Sequence, residues 1–440
     1  MRSLSATRTR ICVRVIALCT VPVIGFGSAH AQNTDQRISD LEQRLQESLN
    51  LINALKQELQ QLKSESANDR RAAAAPASNE ALARKVNDLE QQVSAMANQP
   101  EADHGLDMHG FADIGFSAAG PGRPTGANIG NLDFYLTPKF ADRVKGLFEL
   151  NFECCDEGSV SVDVERMQIG YTSADWLTLW AGRFHTPFGY WNTAYHHGAQ
   201  LQTAILRPQF LEFEDRGGIL PVHTLGLWAT GAAKFPTGRL GYDFYVGNAP
   251  TISLSDPKMN GTGALDPGLS GAGGRAATVG GGLHYGFSGL LSGLNVGLHA
   301  LTSRVLDSAT TPDRTRLAFF GPWIAYLEKD WEVLGEEYSF RDRDLTGGTG
   351  EHSSTAGYVQ IGRQFSGWTP YGRYELASLD QNDAYFAQQE QGRSYRRWIG
   401  GVRYDLNPRT AFKLEAQRTR LTDRATSDFS ELLGQVAIRF

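Results

Sequence analysis

Ionisable side chains sit at alternating positions in many segments of this 440-residue chain. The basic ones are Lys145, Arg183, Arg239, Arg363, Arg373, Arg397, Arg403 and Lys413. The acidic ones are Asp113, Asp133, Glu149, Glu153, Asp243, Glu375, Asp405 and Glu415. Spacing of two puts such residues on one face of a strand. A face of mixed sign pairs across neighbouring strands or orients the dipole of a passing solute. Arg363, Arg373, Arg397 and Arg403 fall in neighbouring segments, which would make one wall basic and favour anions slightly. A second group lies in the long stretch from His185 to about Val222, HTPFGYWNTAYHHGAQLQTAILRPQFLEFEDRGGILPV. Its Arg207, Glu212, Glu214, Asp215 and Arg216 are candidates to meet a solute, with Tyr190, Trp191 and Tyr195 packing the stretch in place. A connection this long and this apolar is expected to be functional rather than disordered.

Other reactive groups point to less. His185, His196, His197 and His223 cluster in or beside that stretch. Imidazole is a common metal ligand, but adjacent His196 and His197 lack the i, i+4 spacing of a helical site. Loop polarity is the expectation, with no metal and no cofactor. Cys154 and Cys155 are adjacent, so they form a vicinal disulfide or remain thiols, and they cannot staple distant segments. No nucleophile elbow, phosphate loop, dinucleotide fingerprint or zinc-protease helix motif occurs, so no enzymatic activity is expected.

These side chains need a frame. The net charge of −6 argues against a nucleic-acid partner. A mean hydropathy of −0.33 argues against a bundle of membrane helices. A β-barrel survives that test, because its strands alternate apolar and polar residues. The N-terminus reads as a signal peptide over residues 1–31: Arg2, Arg8, Arg10 and Arg14, an apolar run from Val15 to Phe26, then Ala29-His30-Ala31. Cleavage there removes four Arg and no acid, taking the charge from −6 to −10.

Residues 32–65 carry heptads. Ile38, Leu41, Leu45, Ser48, Ile52, Leu55, Leu59 and Leu62 are spaced alternately by three and four. They predict a coiled coil about 36 Å long. Residues 66–80 read as a linker, and 81–100 as a second, shorter heptad segment. From 105 to 440 the period is two. Sixteen antiparallel strands are predicted, the first at 106–117 and the last at 429–440, with a bulge where parity changes between Val162 and Tyr171. Short turns alternate with long loops, as outer-membrane barrels require. Trp176, Trp331 and Trp368 each follow a short turn and would form an interfacial girdle. Sixteen strands enclose a bore too wide for wall side chains to fill, which implies an aqueous channel for small hydrophilic solutes.

The closing strand, with Leu432, Gly434, Val436, Ile438 and Phe440 on one face, resembles the assembly signal of bacterial outer-membrane barrels. Together with the signal peptide, the heptads and AGRFHTPFG at Ala181 to Gly189, it resembles porins that carry an N-terminal coiled coil, including the phosphate-selective O/P type. The resemblance spans the mature chain in architecture. It implies a homotrimer in the outer membrane of a Gram-negative bacterium, with the helices in the periplasm. In trimeric porins the third external loop folds inward, so the 185–222 stretch would form the constriction. The phosphate members use an arginine ladder and a lysine cluster; neither is matched here, and the acidic positions argue against phosphate. The competing expectation is a structural protein whose coiled coil tethers the membrane to the cell wall.

Overall fold

A computed structural model of the chain describes residues 108–120, 125–154, 160–253, 263–267, 277–306, 313–328, 330–423 and 427–440. The expected signal peptide, coiled coil, linker and second heptad segment lie outside these residues.

Sixteen long strands form the wall. They are β1 (Met108–Ala119), β2 (Gly126–Leu136), β3 (Val144–Cys154), β4 (Val160–Ala174), β5 (Leu177–His185), β6 (His223–Phe235), β7 (Gly238–Asn248) and β8 (Ala277–Phe287). β9 (Leu294–Leu306), β10 (Asp313–Glu328), β11 (Trp331–Asp344), β12 (Glu351–Arg363), β13 (Trp368–Ser378), β14 (Tyr395–Asn407), β15 (Thr410–Leu421) and β16 (Ser427–Arg439) complete it. The first and last strands begin and end within about two residues of the expected 106–117 and 429–440. Three short strands, Lys139–Ala141, Thr251–Ser253 and Ala264–Asp266, lie in the connections.

Every wall strand pairs antiparallel with the next, and the sheet closes where β1 pairs with β16 from Phe111↔Arg439 to Ala119↔Glu431. Closure removes the unpaired edges that an open sheet would present. Phe440 completes the seam. Its N–H donates to the Gly110 carbonyl and its own carbonyl accepts from the Gly110 N–H, both at 3.0 Å. Its ring meets Phe134 edge-on at 5.8 Å.

Period two decides which residues face out. Ile129, Phe244, Leu298, Val359, Trp398 and Leu414 are all more than half exposed, while Asn151, Gln360, Glu375 and Glu415 on the opposite face are essentially inaccessible. An apolar exterior around a polar inner face inverts the water-soluble pattern and suits a wall solvated by lipid. Trp176, Trp331 and Trp368 are exposed on the outer surface. The expected parity change occurs at a bulge. Glu149 opposes Arg166 and Leu150 opposes Val164, which leaves Glu165 as the extra residue, turned inward.

The inner face is not polar all round. Leu301, Leu317, Phe319, Leu334, Phe340 and Ala356 point inward from β9 to β12 and are almost fully buried. Their cover comes from the connection between β5 and β6 and, at Phe340, from Phe386 of the connection between β13 and β14, 5.3 Å away.

Candidate functional site

The connection from Thr186 to Val222 runs inside the barrel. Gly189 sets its entry at φ +62, and a Cβ there would lie 2.0 Å from Glu336 Oε2 and 2.3 Å from the Tyr338 hydroxyl. Only glycine passes that close in that backbone region. A helical turn at Trp191–Ala194 follows. Phe188, Trp191, Phe210 and Leu211 are wholly buried. Phe188 meets Phe319 edge-on at 5.5 Å, Trp191 meets Tyr358 at 5.7 Å, and Phe210 meets Tyr338 at 5.2 Å. These rings explain the apolar inner wall of β10 to β12: the loop brings its own apolar surface.

Polar anchors fix the rest of the loop. Glu336 accepts from the Trp191 N–H at 2.6 Å and from the Tyr338 and Tyr358 hydroxyls at 2.9 Å each. Glu415 accepts from the Ile205 N–H (2.9 Å), and Glu375 from the Gln209 N–H (3.0 Å). Arg373 donates to the Leu206 carbonyl (2.8 Å). Arg403 donates to the carbonyls of Gln200 (2.6 Å) and Gln202 (2.9 Å). Lys413 donates to the Ala204 carbonyl at 3.1 Å. Wall carboxylates thus take up loop N–H groups and wall cations take up loop carbonyls. A long buried loop must satisfy its backbone this way.

This placement changes the meaning of several residues expected to line the bore. Arg373, Glu375, Arg403, Lys413 and Glu415 do point inward, but the loop covers them. Arg397 is engaged by Thr419 at 2.9 Å and by Gln209. Arg363 departs from expectation. Gln360 is buried while Val359, Ile361 and Arg363 are exposed, so Arg363 faces outward. Its guanidinium lies over Trp331 (5.0 Å) and Phe365 (4.7 Å), a basic head held among aromatics at the rim. Of the four arginines expected to make one inner wall basic, Arg373, Arg397 and Arg403 thus lie on the inner face and are engaged there, and Arg363 lies outside. Of the remaining inward residues, Glu149 pairs with Arg166. Arg183 donates to the Glu165 carbonyl at 3.1 Å, Asp405 pairs with Arg403 at 2.6 Å, and Asp133 is wholly buried. Lys145 and Arg239 are exposed near the short-turn end, Lys145 with its Nζ 5.2 Å from the Trp180 ring.

The loop leaves space on two sides. A cavity of about 570 Å³ lies against β1, β2 and β16, with Asp113, Asn131, Glu153, Arg207, Glu212, Arg216 and Gln435 in its lining. A second, of about 480 Å³, lies against β6 to β10 and includes Arg166, Asp243, His284 and His299. Asp243 there accepts from the Trp228 indole at 2.9 Å.

The five loop residues singled out from the sequence separate accordingly. Arg207, Glu212 and Arg216 line the first cavity, whereas Glu214 and Asp215 do not. Arg216 bonds Glu153 across the gap at 2.8 Å. Arg207 lies 3.8 Å from the Phe213 ring centroid, and burial lowers its pKa to about 10. Burial also lifts Asp215 to about 6. Glu214 turns away and accepts from the N–H and Nδ1 of His223. Burial works against a charge on His197, but Glu165 and then Asp133 outweigh it and push the pKa up to about 9. Sequence reasoning missed Glu165 and Glu336. The parity change was the one signal for Glu165, and nothing in the pattern distinguishes Glu336 from an ordinary inward acid.

In sequence the chain matches no family model and no curated protein. Its backbone does match solved structures. An anion-selective porin from Comamonas acidovorans superposes with a TM-score of 0.51 at 11% identity, over 76% of this chain and 99% of that one. The chain has a porin fold. Further porin-fold neighbours are OmpF of Salmonella typhi (14% identity, 76% and 97% coverage, TM-score 0.49) and the outer membrane channel DcaP of Acinetobacter baumannii (12%, 76% and 97%, 0.48).

Proposed function

We propose that the protein is a channel of the Gram-negative outer membrane, a homotrimeric porin that passes small hydrophilic solutes by diffusion. The observation that carries this reading is the mixed-charge cavity between the inward loop and the wall of β1, β2 and β16. Its lining offers carboxylates, guanidiniums and amides, the groups that replace a solute's hydration without binding it tightly. The apolar exterior and the porin fold support the location. With Arg363 outside and Arg373, Arg397 and Arg403 engaged, charge selectivity is weak and set by the cavity itself. Asp113, Glu153 and Glu212 stand there against Arg207 and Arg216. Phosphate is not the favoured solute, because the inward guanidiniums form no free ladder.

Arg216→Glu tests the assignment. It changes the cavity charge by two units and sets a carboxylate against Glu153. The reversal potential in a salt gradient should shift towards cation preference. An unchanged potential in a channel that still conducts would remove this cavity from the permeation path.

A further inference from the structure

The bulge in β4 delivers Glu165 to three imidazoles that reach it from elsewhere in the chain. His196 and His197 come from the inward loop, and His223 opens β6. His223 Nε2 lies 2.7 Å from Glu165 Oε2, and His197 Nε2 lies 3.2 Å from Oε1. His196 Nε2 lies 3.0 Å from His223 Nε2 and 4.0 Å from Glu165 Oε2. All four side chains are buried, and one donor atom from each lies within 4.8 Å of all the others. Donors of a tetrahedral zinc ion, each about 2.0–2.1 Å from the metal, lie about 3.3 Å from one another.

The outer partners fix which ring nitrogens carry hydrogen. The Asn192 amide nitrogen donates to the carbonyls of Thr186 (3.0 Å) and Val222 (3.1 Å). Its oxygen therefore faces His196 Nδ1, at 3.1 Å, and His196 must donate there. Glu214 faces His223 Nδ1 at 3.0 Å, and a carboxylate only accepts. In the neutral imidazoles both Nε2 atoms are then bare lone pairs. They face each other and the Glu165 carboxylate, so either a proton on a ring nitrogen or a metal cation must stand between them. Glu165 Oε2 and His197 Nε2 are buried, and their closest polar contacts stay within this cluster. The converging donor atoms make a point that a proton or a metal cation can occupy. His196 is also held at φ +27, a strained conformation for a residue with a side chain.

We infer that Glu165, His196, His197 and His223 form a site for a borderline divalent transition metal, with Zn²⁺ as the natural fit. Three imidazoles and one carboxylate suit zinc far better than calcium or magnesium, which take oxygen donors. Glu214 and Asn192 supply the outer bonds that orient a metal-binding histidine. The site joins the β4 bulge, the middle of the inward loop and the strand to which the loop returns. A bound ion would fasten the loop to the wall on the side opposite Glu336, Glu375 and Glu415. This inference does not rest on the channel reading, since a barrel of any function can carry the ion.

Metal analysis of the tag-free, folded full-length protein tests it. After stripping with chelator, exposure to Zn²⁺ and removal of excess, about one zinc per chain should remain. Co²⁺ in its place should give the strong visible absorption of a tetrahedral site. His196→Gln with His223→Gln should lose both signals, while His284→Gln, away from the cluster, keeps them. Heat-modifiable gel mobility reports that the barrel is folded. If the double variant does not fold, the near-isosteric Glu165→Gln takes its place and should weaken zinc binding by about tenfold or more. Failure of the wild type to retain zinc, or equal retention by wild type and folded cluster variants, would overturn the site.

Discussion

Glu336→Ala should release the inward loop while the barrel stays closed. The carboxylate accepts three buried donors, the Trp191 N–H and the hydroxyls of Tyr338 and Tyr358. Each donor left unpaired costs about 1–3 kcal/mol. The wall does not depend on those bonds, since β11 keeps its ladders to β10 and β12. The cost therefore falls on loop docking. A loss of about 3 kcal/mol raises the open population of the loop roughly a hundredfold. Trypsin reads this directly at Arg216, which precedes Gly217, whereas Arg207 precedes Pro208 and resists cleavage. Cleavage at Arg216 should be slow in the wild type and fast in the variant, with the heat-modifiable barrel retained in both. Glu336→Gln keeps one acceptor and should fall between them. Equal cleavage rates for wild type and Glu336→Ala would mean that the loop is held by something else.

Phe210→Ala attacks the same docking from its apolar side. The ring is wholly buried and meets Tyr338 at 5.2 Å and Tyr358 at 6.4 Å. Truncating a buried Phe costs about 3–5 kcal/mol, part of it for the cavity left behind. The backbone bond from the Phe210 N–H to the Tyr395 hydroxyl, 3.1 Å, does not need the ring. Hydrogen exchange separates loop from wall. The N–H groups of Ile205, Gln209 and Phe210, held by Glu415, Glu375 and Tyr395, should lose protection together. Those of the wall ladders should not. Unchanged protection at the three loop amides would contradict the docking described here. Loss throughout the wall would show that loop and barrel unfold as one unit.

Much of the frame was legible from period two alone, because an apolar outer face and a largely polar inner face enforce alternation on each strand. Glu165 shows how far that signal reaches: the parity change between Val162 and Tyr171 marked the bulge, though not the residue it turns inward. Alternation fails where neighbours have the same character. Phe319 and Phe320 are both apolar, yet one is buried under the loop and the other is exposed outside. Arg363 was misplaced for a related reason. A basic residue among rim aromatics is as stable outside as in, so polarity alone does not assign its face.

The wall charges show a second limit. Sequence spacing places Arg373, Glu375, Arg403, Lys413 and Glu415 on the inner face but cannot say that the loop consumes them. Their partners are backbone groups some two hundred residues away. The histidines were hidden for the same topological reason. Their shared carboxylate sits on another strand, and a rule built on helical spacing has no purchase on ligands drawn from three separate segments.

Conduction requires a water-filled passage beside the docked loop. Single-channel recording of the purified, folded protein in a planar bilayer tests it most directly. Discrete, stable conductance steps that scale with salt concentration are the result expected. Insertion of the intact, folded protein with no current at any voltage would contradict it.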